Sequence, residues 1–131
     1  MSSGVEGVPD DVVLYRLLNP EHDITWDEND RQWIIKSSAF QNTSRTDRMS
    51  IVLGDTLEAS GRPPEDARRS KPTWYVAAIT TRLVRNEEQD VQRTPRPEEE
   101  AHGDVIGDKG KARRRRFVAA AWWIVSPPQI R

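Results

Sequence analysis

Apolar residues in this chain come in short runs broken by proline and by charge. That spacing limits the chain to short elements around a small core. The longest apolar run, Phe117 to Val125, spans nine residues. A helix needs about 20 to cross a bilayer, so the sequence predicts no membrane span and no membrane partner. Runs rich in β-branched and aromatic residues follow one another without strict strand–helix alternation, which argues against a doubly wound parallel sheet. The expectation is an α+β fold: a small, mostly antiparallel sheet with a C-terminal helix packed on one face. The 131 residues correspond to one domain on the usual scale of about 100–200 residues. That domain is expected over 9–128, behind a flexible Ser/Gly/Val leader at 1–8. Apolar residues make up 35% and charged residues 31%, so the core is lean, and five tryptophans offset part of the leanness.

Residues 12–18 form a core element stopped by Asn19-Pro20, with strand and helix both open. An acidic loop follows to Arg31, with Ile24 and Trp26 as apolar anchors. Met49 to Leu53 reads as a strand, and 56–60 as one or two helical turns. Thr73 to Arg85 is the strongest strand candidate. Residues 86–100 read as a mobile acidic, proline-containing loop, with 91–93 as a candidate short strand. Ala101 to Ile106 reads as a further strand. Lys109 to Val125 is predicted to be the C-terminal helix, with Phe117, Ala120, Ala121 and Ile124 on one apolar face. Pro127-Pro128 ends it.

The chain has no cysteine, which excludes disulfide scaffolds, thiolate zinc sites and cysteine nucleophiles. Net charge is −1, so no global basic field attracts nucleic acid or membrane. One segment is nevertheless strongly basic: Lys109, Lys111, Arg113, Arg114, Arg115 and Arg116. Its functional reading is an anion or nucleic-acid site. The competing reading is internal pairing with the acidic residues of 86–104, among them Glu87 and Glu88.

Ser37 and Ser38, with Arg16, Arg48 and His102, are the candidates for a catalytic cleft if the chain is an enzyme. The competing reading makes the serines turn residues. A serine nucleophile needs a positioned base. The two histidines lie in no hydrolase motif such as G-x-S-x-G and in no zinc spacing, so no metal site and no cofactor are expected. Trp122 and Trp123, adjacent on the predicted helix, would diverge by about 100°. They are the candidate partner anchors.

Several short pieces of the chain, namely Leu14-Tyr15-Arg16, Ser37-Ser38-Ala39-Phe40, Met49-Ser50-Ile51, Ala101 to Gly107 and Arg113 to Val125, occur in a common order. In that order they resemble a group of small uncharacterised bacterial proteins with S-S-A-F, M-S-V and A-H-x-x-V-x-G motifs before a basic C-terminal helix. No activity carries over from that group. The resemblance implies that Ser37, Ser38, Phe40 and His102 share one structural framework. The group in turn is similar to accessory proteins of bacterial conflict or defence loci.

The functional expectation is a non-catalytic interaction or accessory module with a protein partner, charges steering and tryptophans anchoring. The first alternative is RNA or DNA binding through 109–116. The second is a small toxin-like enzyme using Ser37, Ser38 and His102. The N-terminus lacks a basic region followed by an apolar one, so a cytoplasmic location is expected.

Overall fold

The computed structural model describes residues 7–128. Eight strands alternate with three short helices and two 3-10 turns. Six strands form one fully antiparallel sheet in the order β6-β7-β4-β1-β5-β8. They are β1 (Val13–Leu18), β4 (Arg48–Leu53), β5 (Tyr75–Thr80), β6 (Asp90–Arg93), β7 (His102–Ile106) and β8 (Trp122–Val125). Strands β2 (Ile24–Asp27) and β3 (Gln32–Ile35) form a separate hairpin. The helices are α1 (Gly54–Ala59), α2 (Thr81–Asn86) and α3 (Lys111–Ala120). The fold is α+β, with the C-terminal helix on one face of the sheet.

Side chains alternate across a strand, so each strand feeds two cores. Leu14, Leu18, Met49, Ile51, Leu53, Ala77, Ile79 and Val105 face one core, which Phe40, Val84 and Phe117 cap. Phe117 of α3 meets Phe40 edge to face at 5.9 Å between centroids, a geometry aromatic pairs favour. Tyr15, Val52, Val76 and Ala78 face the other core, which Leu57 of α1 and Ala67 cover. Both cores hold short apolar runs buried from water, the arrangement a lean composition allows.

Several elements depart from the sequence reading. The predicted helix to Val125 ends at Ala120, and residues 122–125 pair with β5 instead. Ile124 therefore packs on the second core as a strand residue, while Ala121 and Phe117 keep the helix on the first. Adjacent tryptophans and an Ile-Val pair suit a pleated edge better than another helical turn. A register shift opposite Val76 and Ala77 accommodates the strand.

The long strand predicted to Arg85 stops at Thr80, whose hydroxyl accepts from the Leu83 N–H at 3.1 Å and caps α2. That side-chain cap ends the ladder where β-propensity alone would extend it. The loop predicted over 21–31 carries β2, and the Trp26 and Trp33 rings cross at 5.4 Å over the hairpin. Within 86–100 lie β6, on the sheet edge, and a bridge between Arg96 and Glu99. Of the leader, residues 1–6 lie outside the described residues, and Val8 is buried in the core.

Candidate functional site: a cleft at a split in the sheet

Strands β1 and β4 pair only at Leu14–Leu53 and Tyr15–Val52. Beyond that point each keeps its outer neighbour, β1 on β5 through Leu18 and β4 on β7 through Arg48, and the sheet opens between them. Arg16 occupies the opening. Its Nε donates to the Ala39 carbonyl at 2.9 Å and its Nη1 to the Ser50 carbonyl at 2.8 Å. The guanidinium thus serves a strand carbonyl where a ladder partner is missing. Alternation from Leu14 and Leu18 puts Arg16 on the first core's face, whereas Leu17, Ser50, Val52 and His102 belong to the other. All five line one cleft of about 520 Å³, so the cleft reaches through the split. That volume lies within the range of small-molecule sites.

Arg16 is a charged group at the bottom of this cleft, and no salt bridge joins it to a carboxylate among the described residues. Burial pushes its pKa below the ordinary arginine value, with Asp23 opposing that shift. Asp23 also lines the cleft, and its carboxylate accepts from the Asn19 N–H at 2.7 Å. Lys71 and Arg96 stand exposed at the rim. The Lys71 Nζ sits over the Trp74 ring, 4.7 Å from its centroid, and is thereby placed at the cleft wall.

Glu99 also lines the cleft but is fully engaged. Arg62 Nη1 and Nη2 grip it at 2.6 and 2.7 Å, and its Oε2 accepts from the Ala101 N–H. Arg62 also donates to Asp66, which Arg69 approaches at 3.0 Å. The Arg62 contacts hold the Glu99 carboxyl below the usual carboxylate range, against the opposing effect of burial. Of the charged groups lining the cleft, Arg16, Lys71 and Arg96 face Asp23 and Glu98, Glu99 being paired to Arg62, so cations exceed the carboxylates left without an ion pair by one.

Both histidines of the chain line the cleft. The His102 Nδ1 lies 3.1 Å from the Thr94 carbonyl oxygen. A carbonyl only accepts, so Nδ1 carries the proton and Nε2 is the acceptor. The Thr94 hydroxyl, 2.9 Å from the same nitrogen, donates to Asp104 Oδ2 at 3.1 Å. Arg48 in turn reaches Asp104 at 3.2 Å. His102 Nε2 is buried and has no hydrogen-bond partner among the described residues. Burial first, and then the Arg96 charge, push this imidazole below its usual pKa, so it is neutral at pH 7.

Of the enzyme candidates, Arg16 and His102 share the cleft. Ser37 and Ser38 do not line it: they open a 3-10 turn (Ser37–Phe40) beneath α3. Arg48 positions Asp104 and is likewise outside the lining. No nucleophile–base–orienter set assembles from these five residues, and among the described residues no group of three or more His, Cys, Asp or Glu is placed to hold a metal ion.

The basic segment is divided by its surroundings. Lys109 is buried, with Nζ bonded to Asn42 Oδ1 and the Val105 and Gly107 carbonyls at 2.5, 3.0 and 3.0 Å. It is a structural staple and unavailable to an external anion. Arg116 pairs with Glu87 at 2.8 Å, and Arg113 approaches Glu88 and Asp108 at 3.6 and 3.8 Å. Arg114 is half-buried, which leaves Lys111 and Arg115 as the exposed cations without an ion-pair partner among the described residues. Trp122 is 41% exposed, whereas Trp123 packs on the first core. Being strand neighbours, the two point to opposite faces rather than diverging along a helix.

The sequence offers Arg16 as a candidate cleft residue but does not show that it is buried without a salt-bridge partner. Lys71, Trp74, Arg62 and Glu99 carried no motif, because turns far apart in the chain bring them together. Comparison with protein-family models, curated proteins and solved structures finds no match to the chain. No helix among the described residues is long and apolar enough to cross a membrane.

Proposed function

We propose that the protein is a binding domain whose cleft takes a small anionic ligand on Arg16. One observation carries this reading. A guanidinium is sunk into a split sheet, two of its nitrogens committed to carbonyls, with no carboxylate paired to it. Burying an unpaired charge is costly, and an anion from solution offsets that cost. Lys71 and Arg96 at the rim favour entry of the same charge sign. The test is calorimetric titration with phosphate, pyrophosphate and AMP at low salt. Saturable binding to one of them, weakened tenfold or more in Arg16→Gln, supports the reading; no binding to any of the three overturns it.

A second reading, docking of a protein partner, is favoured by a separate observation. β8 is the terminal strand of the sheet, reads Trp-Trp-Ile-Val and exposes Trp122. The opposite edge, β6, carries Asp90, Gln92 and Arg93, the kind of polar edge that discourages pairing. Cross-linked pull-downs from the native host with wild type and Trp122→Ser test this reading. A partner lost in the variant supports it, and identical captures contradict it.

A further inference from the structure

The lining of the cleft is divided in character. Leu17, Val52, Ala67 and Trp74 give it an apolar wall, while Arg16 and Lys71 supply positive charge. A bare inorganic anion uses only the second part, and its volume is a small fraction of about 520 Å³. Resting on the anion-binding reading above, we infer that the ligand is a mononucleotide. Its phosphate meets Arg16 and draws the Lys71 ammonium off the Trp74 ring it covers, and its base takes that place against the apolar wall.

Three features favour a nucleotide over other phosphorylated molecules. First, the wall contains a half-buried indole, and every base has a π-face that stacks on aromatic side chains. Second, neutral hydrogen-bonding groups (Asn19, Gln41, Ser50 and Ser70) line the same space, matching the donors and acceptors of a base edge and a ribose. Third, excess positive charge in the cleft is modest: Asp23 and Glu98 balance all but one of Arg16, Lys71 and Arg96. A single phosphate suits that balance better than a polyphosphate chain.

The experiment uses the full chain and follows binding by calorimetry, with tryptophan fluorescence as a second signal. Probes are AMP, GMP, CMP, UMP, adenosine and inorganic phosphate. The expected result is that at least one mononucleotide binds ten times or more tightly than both adenosine and phosphate, and that Trp74→Leu weakens that mononucleotide at least fivefold more than it weakens phosphate. Circular dichroism of Trp74→Leu verifies folding. Should that variant not fold, Ser70→Trp, which fills the cleft mouth, is expected to abolish nucleotide binding in its place. If phosphate binds as tightly as every mononucleotide, the nucleotide assignment is overturned while the anion reading stands. Absence of binding by all six probes overturns both.

Discussion

Arg16 and Ser50 belong to neighbouring strands that have stopped pairing, and the side chain of the first bonds the backbone of the second at 2.8 Å. One guanidinium thus closes the hydrogen-bond account of a split sheet and floors the cleft that the split creates. Structure and binding are coupled through this residue. Arg16→Met removes both roles: it leaves the Ser50 and Ala39 carbonyls without their donor. A loss of about 1–3 kcal/mol follows from orphaning buried acceptors, measurable by urea denaturation. Added phosphate or nucleotide raises the melting temperature of wild type and leaves that of the variant unchanged.

Glu99 and Arg62 form the most enclosed ion pair bordering the cleft, with side chains 10% and 8% exposed. Glu99→Gln leaves the enclosed guanidinium with Asp66 as its remaining close charge partner and costs about 1–3 kcal/mol. Because Glu99, Asp66 and Asp55 have pKa values held below the unfolded carboxylate range, their contribution is complete above the unfolded pKa. It is lost as pH falls through the depressed folded values. Acid titration of stability is expected to show this loss, and Glu99→Gln is expected to flatten part of it.

Lys109 has linkage of the same sign in a more alkaline window. Burial lowers its pKa to about 8 from an ordinary 10.5, so between those two values the unfolded chain binds more protons than the folded one. Stability gains a positive increment with pH across that window. Lys109→Met abolishes the increment, and by removing the donor to Asn42 and two carbonyls it costs about 1–3 kcal/mol near pH 7. Denaturation of both proteins at pH 7, 8, 9 and 10 measures both effects; equal stability at pH 7 contradicts the staple role, and parallel curves contradict the lowered pKa.

His102 is held neutral by burial. Its folded pKa lies below the unfolded one, so stability from this residue is present above pH 6.5 and falls as acid forces a proton onto the buried ring. His102→Gln removes that acid limb. The imidazole C2–H chemical shift in a proton NMR titration reads the same property directly, with a midpoint below 6.5 expected for His102 in the folded chain.

Gly103 is required by close packing. A Cβ there lies 2.9 Å from the Gln92 carbonyl oxygen and 2.9 Å from Ile51 Cδ1. Gly103→Ala therefore pushes β6 from β7 and costs about 1–3 kcal/mol, seen as a lower urea midpoint.

The architecture was legible where local chemistry and tertiary pairing agree. Met49 to Leu53 and Ala101 to Ile106 read as strands because their β-branched runs end at glycine. Phe117 read as a core residue from its helical spacing. Local pattern failed where a cap or a partner decided the outcome. Thr80 ends β5 through a hydroxyl cap, and β5 itself converts 122–125 into a strand. The polar hairpin over 24–35 is held by cross-strand contacts such as Trp26 with Trp33 that no single run announces. For the site, Arg16 and His102 were visible as unusual residues, but Lys109 shows the limit of charge reading. It belongs to the basic run by sequence and to the interior by packing. The pairing of Arg113 and Arg116 with Glu88 and Glu87 matches the internal-pairing alternative, because α3 lies beside the chain segment that follows α2.

The Arg16 charge, which no salt bridge among the described residues neutralises, is the proposed anchor for the anion. Nitrogen-15 NMR of the arginine side chains during phosphate and AMP titrations tests it at the residue itself. Saturable shifts of the Arg16 Nε and Nη resonances, with Arg93 and Arg115 unmoved, are the predicted result. Shifts confined to Arg115 and its neighbours on α3, with Arg16 unchanged, contradict the account.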